Sequence, residues 1–411
     1  ELDYVLKDSG AEFVIAAPGF GERLSRLADS RSARYIGLGD ALSARSAPLP
    51  ELRGEKKAMI IYTSGTTSRP KGVVTTHDNI RAQIGSLVTA WEWSRSDFIL
   101  DVLPLHHLHG ILNVLLCALY SGARCEMLSG FDSGRVWKRF IERDYTLFMA
   151  VPTIYSRLIR SFEEAGDAEK ETMSRAYRKM RLMVSGSAAL PVNTLEKWRE
   201  ISGHVLLERY GMTEIGMALS NPLRGERRPG RVGMPLPGVD VRLADESGKV
   251  IEGEGAGEIF VKGKNVFIEY WNNPEATREA FTEGGWFRTG DIAERDAGGS
   301  CRILGRSSVD IIKSGGYKIS ALEIEEVLRE HPHIEECAVV GIGDEEWGER
   351  VCAAVVMPGG ENTTPESLRE WLKDRLAPYK IPSRIIMVGE LPRNPMGKVI
   401  KPEVIALFRD I

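Results

Sequence analysis

The sequence predicts an α/β protein in which a large layered N-terminal domain precedes a small α+β domain. Between residues 1 and about 300, short apolar runs with strand character alternate with helical runs, which is typical of helices packed on a largely parallel sheet. Residues 305–308, Gly-Arg-Ser-Ser, interrupt this pattern because Gly and Ser favour loops. An amphipathic helical run at 322–328 and strand-like runs at 338–341 and 351–357 follow, within a segment of ordinary domain size. We therefore predict one domain over residues 1–306 and a second over residues 307–411.

Composition narrows the class of protein. A chain of 411 residues with 43% hydrophobic residues is long enough to bury two cores. Its net charge of −4 gives no electrostatic basis for binding nucleic acid. The five cysteines are scattered and form no CxxC motif, which favours a reducing compartment over a disulfide framework. The longest apolar run, residues 111–120 with Asn113 inside it, is too short to span a membrane.

Three short apolar runs, at 98–103, 147–151 and 182–185, are the predicted strands of the main sheet. Each run ends in polar, Gly or Pro residues, and α/β folds carry their sites at the carboxyl ends of such strands. Residues 161–180 are strongly charged and predict a solvated helix, and the Gly-rich alternation from 239 to 261 predicts hairpins.

Residues 62–72, Tyr-Thr-Ser-Gly-Thr-Thr-Ser-Arg-Pro-Lys-Gly, are poor material for a core but can present backbone N–H groups, hydroxyls and a lysine to phosphate oxygens. Strand-like runs flank them, so we predict a polar hairpin tip that grips a nucleotide. The common P-loop is excluded, because it places its lysine directly after Gly at the start of a helix, whereas Pro70 precedes Lys71 here. A Ser/Thr-rich surface turn is the alternative.

This segment resembles the signature loop of the adenylate-forming enzymes, which include acyl-CoA synthetases, luciferase-like enzymes and nonribosomal adenylation domains. Seven further segments match that superfamily in order, while Ser68 stands where the family usually has Gly. The resemblance implies ATP and Mg²⁺ as cofactors, CoA as co-substrate and a small domain that rotates about a hinge near Ser308. The nucleotide contacts it implies are Thr63, Ser64, Gly65, Thr66, Thr67, Lys71, Gly186, Ser187, Glu208, Arg209, Tyr210, Asp291 and Arg306.

Residues 103–110 hold three of the seven histidines, His106, His107 and His109. A zinc site is disfavoured because no Cys, Asp or Glu lies at ligand spacing. Ordinary loop histidines are a second alternative. The resemblance makes His107 the gate and wall of a carboxylate pocket, with His109 and Met212 beside the substrate.

Within residues 208–214, Glu-Arg-Tyr-Gly-Met-Thr-Glu, the resemblance implies that Tyr210 stacks on adenine, Thr213 bonds the α-phosphate and Glu214 ligates magnesium. In residues 286–291, Asp291 would accept both ribose hydroxyls, assisted by Arg306. The alternatives are that Asp291 is a turn residue and Arg306 a surface charge.

Lys398 ends a Gly- and Pro-rich loop near the C-terminus and matches the catalytic lysine of the superfamily. A mobile cation there would stabilise the extra negative charge that the α-phosphate gains as a carboxylate attacks it. Residues 313–318 contain Gly315 and Gly316 and resemble the loop that lines the CoA thiol tunnel.

The identity of the acid substrate is the least constrained part of the prediction. A fatty-acid enzyme needs an apolar tunnel, whereas a dicarboxylate enzyme needs a cation for the distal carboxylate. Arg157, on a predicted helix at the expected acyl pocket, resembles the malonate-pairing arginine of malonyl-CoA synthetases, and an ordinary helix-surface arginine is the alternative. Residues 181–191 and 206–220 resemble the mitochondrial members of that group most.

The resemblance therefore predicts a monomeric mitochondrial malonyl-CoA synthetase that also takes methylmalonate. A medium- or long-chain acyl-CoA synthetase and a catalytically impaired nucleotide-binding form are the alternatives. The chain starts at Glu1 directly in a helical pattern, without an initiator Met, so we expect the first domain to lack its initial part.

Overall fold

The computed structural model describes residues 2–20, 33–63, 70–358, 363–393 and 399–409. The N-terminal segment contains helix α1, the parallel pair β1 and β2, helix α2 and the hairpin of β3 and β4. Their bounds are α1 Leu2–Ser9, β1 Phe13–Ala16, β2 Arg34–Gly37, α2 Leu38–Ser43, β3 Lys57–Thr63 and β4 Lys71–Thr76. The β3–β4 pairing agrees with the hairpin that the sequence predicts around the phosphate loop.

A seven-stranded sheet forms the centre of the large domain, with the order β6-β5-β7-β8-β9-β10-β11. The strands are β5 Phe98–Asp101, β6 Arg124–Met127, β7 Leu147–Ala150, β8 Leu182–Ser185, β9 Leu207–Met212, β10 Gly216–Ser220 and β11 Met234–Pro235. The pairs from β6 to β9 are parallel, and the pairs from β9 to β11 are antiparallel.

Helices connect and cover these strands. They are α3 His77–Ala90, the π-helix His109–Leu116, α4 Cys117–Ser121, α5 Ser133–Glu142, α6 Pro152–Glu164, α7 Asp167–Ala176, the 3-10 turn Tyr177–Lys179 and α8 Val192–Ser202. Thr76 starts α3 with a reciprocal capping box to Asn79. The buried Trp198 of α8 packs edge to face on Tyr155 and Tyr177, with ring centroids 4.9 and 5.0 Å away, so aromatic rings tie α6 and α8 together.

The rest of the large domain is antiparallel, so the sheet structure before residue 306 is less parallel than the sequence predicts. Strands β12 Val239–Ala244, β13 Val250–Ile251, β14 Gly255–Gly263, β16 Phe287–Arg295 and β17 Cys301–Arg306 form a five-stranded sheet in the order β13-β12-β14-β16-β17. Strand β15, Glu269–Tyr270, adds to β4, and helix α9, Pro274–Ala280, follows it. Short Gly-rich connections produce this arrangement, because they allow hairpins but not crossovers.

The small domain folds around a sheet of its own, in the order β19-β18-β21-β20 with β22 parallel to β21. Its elements are β18 Ile311–Ser314, β19 Tyr317–Ser320, α10 Ala321–Leu328, β20 Glu336–Asp344, β21 Gly348–Val356, α11 Pro365–Leu372, the 3-10 turn Pro378–Lys380, β22 Arg384–Met387 and α12 Lys401–Ala406. The large core extends to Ile303, and a separate apolar cluster begins at Ile312. The predicted boundary at 306/307 lies between these two residues and stays a prediction.

The connection between the domains has a defined geometry. Gly305 adopts a φ of 128°, and the backbone N–H of Arg306 donates to Asp310 Oδ2 at 3.0 Å. Across the interface, Arg302 of β17 lies 3.6 Å from Glu326 of α10. Within the described ranges, none of the helices is both long and apolar enough to cross a membrane.

Candidate active site

The root of the predicted phosphate loop is the end of the β3–β4 hairpin, where Thr63 pairs with Lys71. The intervening predicted contacts, Ser64, Gly65, Thr66 and Thr67, lie outside the described residues. The ammonium of Lys71 lies 5.0 Å from the ring centroid of Tyr270, whose hydroxyl donates to Glu214 Oε1 at 2.9 Å. The hairpin root is therefore close to the turn that carries Thr213 and Glu214 between β9 and β10.

Strand β9 directs its side chains alternately to two sides, as extended backbone requires. Glu208 and Tyr210 share one face, and Arg209 lies on the other. This alternation places two groups of predicted site residues on opposite sides of one strand. We call them the ribose cluster and the acid cluster, after the ribose of ATP and the acid substrate that we propose as their ligands.

The ribose cluster consists of Tyr210, Asp291 and Arg306. Asp291 of β16 and Arg306 of β17 are directly opposite in the antiparallel register, which brings their side chains together. The Tyr210 hydroxyl donates to Asp291 Oδ2 at 2.6 Å, and Arg306 Nε donates to Oδ1 at 3.0 Å. Burial and the neighbouring carboxylate raise the pKa of Tyr210 well above its usual value, so its hydroxyl remains a donor. The structure thus brings together three residues that the sequence places up to 96 positions apart, from Tyr210 to Arg306.

The acid cluster consists of His109, Gly186, Ser187 and Arg209. Arg209 Nη2 donates to Ser187 Oγ at 3.2 Å, and Ser187 Oγ lies 3.3 Å from His109 Nδ1. Ser187 adopts a φ of 71°, which is uncommon for a residue with a side chain and re-aims its hydroxyl after β8. These contacts join the loop after β8, strand β9 and the start of the π-helix, and they connect the buried Arg209 and His109 through the exposed Ser187.

Two nitrogen atoms of the acid cluster lack partners. Arg209 Nε and His109 Nε2 are buried, and neither has a hydrogen-bond partner among the described residues. Burial lowers the pKa of Arg209 to about 9, so it stays charged at pH 7. Burial and the nearby Arg209 lower the pKa of His109 well below its usual value, so the imidazole is neutral there. A buried cation with an unused donor is an expensive arrangement unless an anion joins it.

Close packing fixes the positions of Arg209 and His109. A Cβ on Gly186 would lie 2.5 Å from Arg209 Cζ, so only glycine lets the guanidinium lie there. A Cβ on Gly110 would lie 2.6 Å from the carbonyl oxygen of Pro104, so the loop before the π-helix folds tightly on itself. His109 is buried as a result, whereas the ring of His107 lies 4.2 Å from that of His106 and is partly exposed.

Arg157 is exposed, and it shares no hydrogen bond with the acid cluster in the described part of the chain, so its substrate role stays a prediction. Arg157 lies on the exposed face of α6, and its side chain has no hydrogen bond or ion pair to any other residue within the described ranges. The buried face of that helix carries Ile154, Tyr155, Leu158 and Ile159 instead. Met212, at the end of β9, is partly buried.

Asn113 is a candidate that the sequence analysis did not select. It lies four residues after His109 in the π-helix, is fully buried, and neither its Oδ1 nor its Nδ2 has a partner among the described residues. The available signal is a single polar residue inside the apolar run 111–120. π-Helical segments are rare and often occur at functional sites.

Glu208 and the predicted CoA loop belong to neither cluster. Glu208 accepts from the backbone N–H of Gly230 at 3.2 Å, and burial raises its pKa to about 8, with Glu326 of the small domain contributing. Gly315 and Gly316 form the β18–β19 turn with φ values of 56° and 83°, the left-handed geometry of a tight hairpin. Lys398 lies outside the described residues, so its role stays a prediction.

The arrangement has known counterparts. Residues 1–271 match the AMP-binding enzyme family, and residues 323–398 match the AMP-binding enzyme C-terminal domain. The mitochondrial malonate–CoA ligase ACSF3 of Bos taurus is 48% identical over 98% of this chain and 75% of that protein. ATP-bound MatB from Rhodopseudomonas palustris has a TM-score of 0.90 at 35% identity, covering 100% of this chain and 82% of that one. A malonyl-CoA ligase complex with methylmalonyl-CoA and AMP has a TM-score of 0.67 at 38% identity, covering 96% and 83%.

The chain therefore belongs to the AMP-binding enzyme family, the class that its phosphate loop and two-domain fold predict. The resemblance inferred from the motifs and the α/β fold class with its large and small domains are both confirmed. Within that family, two of the relatives named above are a malonate–CoA ligase and a malonyl-CoA ligase.

Proposed function

We propose that this protein is an ATP-dependent malonate–CoA ligase that converts malonate, ATP and CoA to malonyl-CoA, AMP and diphosphate. Its relatives of that name, at up to 48% identity, support the reaction. The observation that carries the choice of acid is the buried Arg209, whose Nε has no partner among the described residues, beside His109 Nε2 in the same state.

Arg209 is the partner we assign to the distal carboxylate of malonate. The guanidinium is already held by Ser187, and its remaining donors can form charge-assisted hydrogen bonds to an anion. Neutral His109 can donate a second hydrogen bond without adding charge. A fatty acid would leave this cation buried against hydrocarbon, so the same residues disfavour the alternative of a medium- or long-chain enzyme. Methylmalonate carries the same second carboxylate and is a further proposed substrate.

The nucleotide would lie between the hairpin root and the ribose cluster. Asp291 would accept the ribose hydroxyls, and Lys71 and the loop after Thr63 would hold the β- and γ-phosphates. Glu214 fits a role in holding Mg²⁺, because Mg²⁺ commonly takes one or two carboxylates and completes its shell with phosphates and water. When bound with ATP, the ion would neutralise phosphate charge.

In the proposed first half-reaction, a carboxylate oxygen of malonate attacks the α-phosphorus, the bond to the β-phosphate oxygen breaks, and diphosphate leaves. Thr213 and Lys398 would stabilise the charge that develops on the α-phosphate. In the second, the CoA thiol loses its proton to solvent, its sulfur attacks the acyl carbon of malonyl-AMP, and AMP leaves with the bonding electron pair. Rotation of the small domain would bring Gly315 and Gly316 to the thiol path. The proposed cellular location is the mitochondrion, which the names of the relatives support.

Acid-dependent diphosphate release across a panel of acids tests the proposal. We expect malonate to be preferred, methylmalonate to be accepted, and octanoate to be poor. A preference for octanoate would support the fatty acyl alternative. ATP binding without formation of any acyl-AMP would support the catalytically impaired form.

A second experiment tests the role of Lys398. We expect Lys398→Ala to abolish malonyl-AMP formation but to spare transfer from supplied malonyl-AMP to CoA, because only the first step develops charge on the α-phosphate. Equal loss of both half-reactions would contradict this assignment.

A further inference from the structure

Helix α1 contacts both sides of the phosphate-loop root. Tyr4 and Asp8 lie one helical turn apart and so share a face. The Tyr4 hydroxyl donates to the carbonyl oxygen of Pro70 at 3.0 Å, directly before the strand that leaves the loop. The Tyr62 hydroxyl donates to Asp8 Oδ2 at 2.7 Å, on the strand that enters it. The rings of Tyr4 and Tyr62 also meet edge to face at 6.3 Å.

The same helix is fixed to a second part of the site. The carbonyl oxygen of Asp8 accepts from Trp271 Nε1 at 2.9 Å and from Asn272 Nδ2 at 3.0 Å. Trp271 in turn donates its backbone N–H to the carbonyl oxygen of Gly72 at 2.7 Å. The end of α1, the turn after β15 and the start of β4 are thus joined around the position where the loop emerges.

Tyr62 keeps its donor role over the working pH range. Burial and the adjacent Asp8 raise the pKa of its hydroxyl well above the usual value. The Tyr62 hydroxyl therefore remains a hydrogen-bond donor toward Asp8 Oδ2.

We propose that Tyr4 and Asp8 are positioning residues that hold the root of the phosphate loop and thereby set the affinity of the site for ATP. The inference rests on the proposed nucleotide role of that loop. Fixing Tyr62 and Pro70 also holds their neighbours Thr63 and Lys71 in place, so less ordering of these two residues remains when ATP binds.

Calorimetric titration of the purified chain with Mg-ATP, without acid or CoA, measures this directly. Losing one hydrogen bond of this type should weaken binding about three- to tenfold, so we expect that loss for Asp8→Ala and a similar or smaller loss for Tyr4→Phe. Asp8→Asn keeps an acceptor for Tyr62 and should retain most of the affinity. Lys7→Ala, on the exposed side of the same helix, should match the wild type.

Unchanged ATP affinity in both Asp8→Ala and Tyr4→Phe, or an equal loss in Lys7→Ala, would overturn the proposal. If Asp8→Ala does not fold, Tyr62→Phe removes the same hydrogen bond from the other side. The KM for malonate should stay within twofold of the wild type in every variant that weakens ATP binding, which a general loss of structure would not allow. A wild-type chain that binds ATP but does not turn over malonate would refute the proposed acid, while the ATP affinities would still decide the role of α1.

Discussion

Arg209 and Tyr210 are neighbours on β9, yet they enter two clusters with opposite hydrogen-bonding states. In the ribose cluster, both oxygens of Asp291 already accept a hydrogen bond, from Tyr210 and from Arg306. In the acid cluster, Arg209 Nε and His109 Nε2 have no partner in the described part of the chain. The side chains of the first cluster are paired with one another before a ligand arrives, whereas in the second cluster the proposed anion would supply the missing partner.

The difference predicts where specificity lies. A network whose members are already paired preserves its geometry, and each Asp291 oxygen still has a lone pair for a ribose hydroxyl, so loss of this network should weaken ATP binding whichever acid is used. A buried cation with an unused hydrogen-bond donor favours binding of a ligand that supplies an anion and disfavours binding of a ligand that does not. The ribose cluster should therefore govern ATP, and the acid cluster should govern the choice between malonate and other acids.

Arg209→Met should have the largest effect. It removes the proposed partner of the distal carboxylate, so kcat/KM for malonate should fall on the order of a hundred- to a thousandfold, because losing one side of a buried charge pair costs several kcal/mol. The affinity for ATP should change by less than about twofold. Steady-state kinetics with malonate and butyrate, beside ATP titrations, measure both. A larger loss of malonate activity in Arg157→Met than in Arg209→Met would restore the sequence-based assignment.

Asp291→Asn should be next in size. Asparagine replaces one of the two acceptor oxygens with an amide donor and leaves Arg306 without its anion, so the KM for ATP should rise about tenfold or more. Tyr210→Phe should have a smaller effect, since Arg306 still holds Asp291. A rise in the KM for malonate without a change for ATP would contradict the division between the two clusters.

Gly186→Ala should affect the acid cluster alone. Because the new Cβ would meet the Arg209 guanidinium at 2.5 Å, the side chain must move, and kcat/KM for malonate should fall about tenfold. Gly85→Ala is a matched control, since a Cβ there meets nothing within 4 Å. Similar losses in the two variants would show that the effect at Gly186 is not due to Arg209.

Glu208→Gln should have the smallest effect, on stability. The folded-state pKa of Glu208 is raised to about 8 from 4.5, so between these values the folded state holds a proton that the unfolded state has released. Stability therefore falls as pH rises through that window. Glutamine removes the penalty while it keeps an acceptor for Gly230, so the free energy of unfolding should exceed that of the wild type by on the order of 1 kcal/mol at pH 8.5.

The advantage of Glu208→Gln should largely disappear at about pH 3.5, below the unfolded-state pKa, where Glu208 is mostly protonated in both states. Denaturant unfolding at the two pH values measures the difference, with the exposed Glu226→Gln as control. The other charged groups near Glu208 are Glu326 and its partner Arg302, across the domain interface. An equal difference at both pH values would show that the buried carboxylate does not titrate in this window.

Sequence patterns predicted the β3–β4 hairpin, the three buried parallel strands β5, β7 and β8, and the hairpins of the five-stranded sheet. These are local features, since alternation, apolar runs and Gly-rich turns act over a few residues. The antiparallel end of the main sheet was not anticipated, because a strand's partner depends on the path of the connection rather than on the strand itself.

The sequence by itself determined the family of this protein and the order of its site segments, because the phosphate loop and its companion motifs are contiguous runs of unusual composition. Tertiary structure decided which arginine is buried beside His109. Helix periodicity could have placed Arg157 on the exposed face of α6, and strand alternation could have separated Arg209 from Tyr210. Only packing decided that the Arg209 side of β9 meets Ser187 and a histidine 100 positions earlier in the chain. Burial and the lack of hydrogen-bond partners for Arg209 Nε and His109 Nε2 among the described residues result from this packing, so no single segment of the sequence predicts them.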